Sequence, residues 1–84
     1  MYKIEYSHTA AKAIKKAPTD IAKRLLTAIE ELAAAPYEMT GVKKLTGREG
    51  YRLRVGDWRI LYTIHDNILT ICILNAGNRK EIYK

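Results

Sequence analysis

The sequence predicts an α+β domain: an N-terminal strand, a two-helix hairpin and a three-stranded antiparallel meander, with the helices packed on one face of a four-stranded sheet. Three observations lead there. Strand-type alternation opens the chain in "YKIEY" and returns from Tyr51 onward. Between these stretches Ile21, Leu25, Ala28, Ile29 and Leu32 recur at helical spacing. Finally, Gly56-Asp57 and Asp66-Asn67 cut the second half into segments of hairpin length. A chain of 84 residues sustains one small core, so residues 1–84 are expected to form a single domain.

Each element has its own local signal. Residues 2–6 alternate and carry β-favouring side chains. In "SHTAAKAIKKA", Ser7 or Thr9 is suited to cap a helix rich in Ala, Lys and Ile. Pro18 interrupts that helix and suits the first position of a second one, with Asp20 in its positive first turn. Pro36 ends the second helix. Residues 36–50, "PYEMTGVKKLTGREG", hold three glycines and a proline and read as a loop. The nearly continuous apolar run "ILTICIL" reads as a central strand, and Gly77-Asn78 as a bend before "RKEIY".

Composition narrows the function classes. Lys and Arg number 15 against 9 acidic residues, a formal charge of +6, which points to an anionic partner. Cys72 is the only cysteine, so no internal disulfide forms, no Cys/His cluster suggests zinc, and neither metal nor cofactor is expected. The N-terminus lacks an apolar signal stretch and no run is long enough to span a membrane, so a cytoplasmic location is expected.

The segment "YRLRVGDWR" concentrates that charge. With Gly56-Asp57 as a two-residue loop, Val55 faces Trp58, Arg54 faces Arg59, Leu53 faces Ile60 and Arg52 faces Leu61. Tyr51, Leu53, Val55, Trp58, Ile60, Tyr62 and Ile64 then share the apolar face under the helices. Arg52, Arg54 and Arg59 share the other. Like charges directly opposite destabilise a sheet, so the cluster is expected to hold an anion. Carrying the register through Asp66-Asn67 sets Ile64 opposite Leu69, Tyr62 opposite Ile71 and Ile60 opposite Ile73, and places Cys72 and Leu74 as an apolar floor on the arginine side. If residues 79–83 are extended, Arg79 and Tyr83 point the same way. Lys43, Lys44 and Arg48 in the preceding loop are candidates to touch a nucleic-acid backbone, although such lysines are more often simply solvated. His65 has a suitable pKa for a general base but lies six residues along the strand from Arg59, roughly 20 Å away. Trp58 and Tyr62 belong to the core by alternation, and Cys72 behaves as a small hydrophobe.

The block "YRLRVGDWRILYTI", followed by "LTICILNAGNRKEIY", resembles the RelE/ParE superfamily of type II toxins, most closely its RelE branch. The resemblance extends over nearly the whole chain, including "KKLTG" and the terminal G-x-R-x-x-x-Y pattern. It implies a ribosome-dependent endoribonuclease that cuts mRNA in the A site by 2′-hydroxyl attack. A cognate acidic antitoxin would neutralise it, and the pair would bind operator DNA. By position it implies a basic catalytic set at Arg52, Arg54, Arg59 and Arg79, with Tyr83 as the aromatic member. The best-studied relatives carry Lys at the first two positions, and many end in an extra helix beyond the point where this chain stops. Two other functions fit the same fold: a ParE-like inhibitor of DNA gyrase, and a non-catalytic module that only binds an antitoxin.

Overall fold

The structure, a computed structural model, describes residues 1–78. It contains β1 (Lys3–Tyr6), α1 (His8–Lys16), α2 (Thr19–Ala34), β2 (Val42–Lys44), β3 (Tyr51–Val55), β4 (Trp58–His65) and β5 (Thr70–Asn78). The strands form one sheet in the order β1-β5-β4-β3-β2, antiparallel except for the parallel β1–β5 pair. The α+β class and the helical hairpin agree with the sequence. The sheet, however, has five strands and not four. The additional one, Val42–Lys44, lies inside the expected loop. It is only three residues long and pairs with β3 alone, so it lacks the alternating run by which a strand is read.

The helices form for the reasons the sequence supplies. Ser7 caps α1, its Oγ accepting from the Ala10 amide at 3.0 Å. Pro18 holds the N-cap position of α2, one place ahead of that expected, and its carbonyl accepts from the Ala22 amide. Ala17 is extended, as the residue before a proline prefers. Leu25, Ile29 and Leu32 of α2 are fully buried against Leu53, Ile60, Tyr62, Ile71 and Ile73 of the sheet. Each such side chain stabilises the fold by about 2 kcal/mol of transfer free energy.

The first hairpin has the expected register, from Val55 opposite Trp58 to Tyr51 opposite Tyr62. The second does not. Asp66–Ile68 forms a turn of 3₁₀ helix, and Leu69 takes the left-handed conformation with φ 46°. The longer connection moves the register by two residues, so Ile64 faces Ile71 and Tyr62 faces Ile73. An even shift keeps the apolar face inward. A bulge between Leu61 and Tyr62 then moves it by one more, which leaves Leu74 unpaired and sets Ile60 opposite Ala76 and Arg59 opposite Gly77. The Leu74 carbonyl accepts from the Ser7 hydroxyl at 2.7 Å, so the helix cap also supplies a partner to the bulge. Gly77 and Asn78 continue β5, and no bend occurs there.

Two further contacts tie distant parts of the chain. Tyr2 and Tyr37 each donate a 2.5 Å hydrogen bond to the Asp66 carboxylate, joining the first strand, the segment after α2 and the β4–β5 connection. The two phenols hold the Asp66 carboxyl below its ordinary value, and the Asp66 bond raises Tyr37 to about 12. Gly50 has φ 124°, and a Cβ there would lie 2.9 Å from the Tyr62 carbonyl oxygen. Only glycine lets the chain enter β3 so close to β4.

Two measurements check these contacts. Because the Asp66 pKa is depressed in the folded state, its contribution is present above about pH 4 and is lost as pH falls through the folded value. The melting temperature of Asp66→Asn should therefore fall less steeply below about pH 4 than that of the wild type. Gly50→Ala should cost about 2 kcal/mol from backbone strain and lower the melting temperature by about 10 °C.

Candidate active site

The β3–β4 hairpin builds the site. Its two-residue connection requires a positive φ, which Gly56 supplies at 61°. That connection sets Arg54 directly opposite Arg59 and Arg52 opposite Leu61 on the sheet face away from the helices. Lys43 of β2 pairs with Arg52 and so joins the same face from the edge. Lys44 pairs with Tyr51 and takes the opposite face, while Arg48 is exposed in the connection to β3. Arg79 and Tyr83 lie outside the described residues.

Arg54 and Arg59 are held very differently. Arg54 is exposed. Arg59 is only 7% exposed, and its Nη1 donates to the Gly56 carbonyl at 3.1 Å and the Trp58 carbonyl at 3.0 Å. These neutral acceptors fix the guanidinium without cancelling its charge. Its Nε is buried and has no hydrogen-bond partner. Among the described residues no carboxylate forms an ion pair with Arg54 or Arg59; the one such pair, Lys3 with Glu5, lies on β1. A buried, oriented and unneutralised cation is costly unless an anion completes it.

The floor beside the arginines differs from the expected one. Cys72 faces Thr63, its Sγ 4.0 Å from Glu5 Oε2, and Leu74 is the bulged residue, so neither lies opposite Arg59. Gly77 lies opposite Arg59, and Leu61, 4% exposed and paired with Asn75, is the neighbour of Arg59 two residues along β4 on the same face. Gly77, the residue paired with Arg59, brings no side chain to that position, and the guanidinium is held by its own hairpin through Gly56 and Trp58. Sequence reasoning missed Gly77 and Asn75 because both depend on the bulge, and Leu74 gives no glycine signal for one.

Other candidates fall away from this cluster. His65 is at the far end of β4, its Nε2 3.0 Å from Thr63 Oγ1. Tyr62 is fully buried and its ring stacks on Tyr51 at 5.6 Å between centroids; burial, then Tyr51, pushes its phenol to about 12. Trp58 packs against the core. Among the described residues no three His, Cys, Asp or Glu side chains gather to hold a metal ion.

The sequence matches, over residues 4–83, the family described as the ParE toxin of the type II toxin–antitoxin system parDE. The chain belongs to the RelE/ParE superfamily of type II toxins. Solved structures agree. The archaeal RelE–RelB complex from Pyrococcus horikoshii contains a chain 27% identical to this one, with TM-score 0.82, over 95% of this chain and 97% of that one. The RelB–RelE antitoxin–toxin complex from Methanococcus jannaschii gives 31% identity and TM-score 0.76, covering 93% of each chain. The RelBE2 toxin–antitoxin complex from Mycobacterium tuberculosis gives 29% and 0.78, covering 93% of this chain and 98% of that one. No curated protein matches the sequence. This RelE-like toxin shares the α+β architecture of these structures.

Removing one half of the like-charge pair should reveal its cost. Arg54→Thr should raise the stability of the unliganded protein by about 0.5 kcal/mol in urea titration, as cross-strand repulsion disappears. The same variant should bind oligonucleotides more weakly, so the two effects have opposite signs.

Proposed function

We propose that this toxin is a metal-independent, ribosome-dependent endoribonuclease that cleaves mRNA in the A site. The observation that carries the reading is the buried Arg59 guanidinium, fixed by two carbonyls, with Arg54 across the hairpin and, among the described residues, no carboxylate paired to either. An RNA phosphodiester has the charge and the paired oxygens that such a site accepts.

In the reaction the 2′-hydroxyl attacks the adjacent phosphorus and gives up its proton, and the bond to the 5′-oxygen breaks. The products are a 2′,3′-cyclic phosphate and a 5′-oxygen that takes up a proton. Arg59 and Arg54 bind the scissile phosphate and stabilise the charge that builds on its oxygens. Arg52 orients the backbone beside them, and Lys43 lengthens the basic track, with Lys44 and Arg48 as outer contacts. Arg79 is assigned to the leaving oxygen and Tyr83 to stacking on a base. Arginine is always protonated and is a poor base, so catalysis rests on positioning and charge. The ribosome supplies the substrate's geometry. A cognate acidic antitoxin, suited to a chain of charge +6, neutralises the toxin, and the pair binds operator DNA through the antitoxin.

Primer extension on mRNA in a reconstituted translation reaction tests this reading. The wild type should give A-site breaks that Arg59→Ala reduces at least about a hundredfold, the scale of losing one transition-state donor. The ParE description of the matched family favours a second reading, inhibition of DNA gyrase. Loss of gyrase supercoiling activity with the purified toxin, without RNA breaks, would replace the first reading with the second.

A further inference from the structure

The cationic surface does not end at the hairpin. Arg24 of α2 reaches the same turn from the helix side. A Cβ placed on Gly56 would lie 3.2, 3.5 and 3.7 Å from its Nη2, Nη1 and Cζ. Three such similar distances mean that the guanidinium lies across the glycine, close enough that even a Cβ there would press on it. The carbonyl of this same Gly56 accepts from Arg59. The two guanidiniums therefore meet at one residue and lie within about 10 Å of each other. Among the described residues Arg24 has no hydrogen-bond or ion-pair partner for its side chain.

Arg24 also borders a groove of about 330 Å³ lined by Lys23, Thr27, Ala28, Glu31 and Val55. Lys23 adds a second cation beside it. Ala28 and Val55 give an apolar strip, and Glu31 lies two helical turns, about 10 Å, further along α2. A charged entrance that meets Arg59 at Gly56, followed by an apolar strip, suits a single nucleic-acid strand whose phosphate meets the cations and whose sugar or base lies on the strip.

We infer that Arg24, with Lys23, forms a second phosphate subsite, and that an RNA strand bound at Arg54 and Arg59 continues round the hairpin turn into the α2 groove. The inference rests on the RNA-binding reading of the sheet face. Arg24 is a binding residue here and takes no part in the bond-breaking step. Glu31 repels the strand at the inner end and so limits how far it runs.

Fluorescence anisotropy with fluorescein-labelled 2′-O-methyl uridylates of two and six nucleotides tests it on the full chain. Arg24→Gln should weaken the hexamer about fivefold near 0.1 M salt and reduce the slope of log affinity against log salt by about 0.7, the loss of one single-strand phosphate contact. The dinucleotide, which fills only the Arg54–Arg59 subsite, should bind Arg24→Gln as it binds the wild type. Arg24→Lys should recover most of the slope, and Glu31→Gln should tighten the hexamer about twofold by removing one repulsive charge. Recovery in Arg24→Lys separates a charge effect from damage to the fold. Wild-type affinity and slope for the hexamer in Arg24→Gln, alongside weakened binding of both probes in Arg59→Ala, would overturn the second subsite and leave the first intact. Unchanged binding of both probes in Arg59→Ala would instead overturn the parent reading. If Arg24→Gln weakened a polyglutamate peptide and not the hexamer, the groove would belong to an acidic protein and the RNA path would be wrong.

Discussion

The two-residue connection at Gly56-Asp57 is the constraint on which the rest depends. It sets the β3–β4 register, and in a sheet the register decides which face every side chain takes. With this one, Leu53, Ile60 and Tyr62 enter the core under α2, while Arg52, Arg54 and Arg59 leave it. A slip of one residue would send the arginines under the helices and the apolar residues to the open face. Packing of the core and assembly of the cationic cluster are thus one event. The helices need not touch the arginines to determine where they stand.

Legibility in the sequence follows the range of the interactions. The first hairpin was readable because its turn chemistry and its alternation agree within "YRLRVGDWRILYTI". The helical hairpin was readable for the same reason, from Ser7, Pro18 and the Leu25-Ile29-Leu32 stripe. Other features were hidden because they depend on partners far along the chain. Val42–Lys44 is a strand only because β3 offers it an edge. The 3₁₀ turn at Asp66–Ile68 is accompanied by bonds from Tyr2 and Tyr37, so "HDNIL" alone does not announce it. The bulge at Leu74 is completed by the hydroxyl of Ser7, 67 residues away in sequence. In the candidate site, the paired arginines were legible. The burial of Arg59 was not, because alternation places it on the open face and only the folded hairpin shows its bonds to the Gly56 and Trp58 carbonyls.

That bulge carries more consequence than its size suggests. If β5 kept the register of its first half, Asn75 would lie opposite Ile60 on the core face, and Ala76 would lie opposite Arg59. One extra residue reverses the alternation. Ala76 then turns inward at 4% exposure, and Gly77 lies beside the arginine. The bulge thus lets "ILTICIL" fill the core from one half of the strand while Ala76, and not the polar Asn75, continues the core face in the other.

The same reasoning explains why the cluster is rigid on one side and open on the other. A cation bound to a carboxylate would be stable and of no use to an incoming phosphate. A cation free in water would be screened and would lose side-chain entropy on every binding event. Arg59 avoids both outcomes, since two backbone carbonyls orient it and, among the described residues, no carboxylate pairs with it. Arg54 is exposed and able to adjust to the ligand. The repulsion between them is a modest destabilisation, of the order of 0.2–1 kcal/mol, spread through a hairpin anchored by a core of large side chains. An anion between them turns that repulsion into attraction. Under the proposed function, the unliganded protein holds part of the organisation of the complex before its ligand arrives.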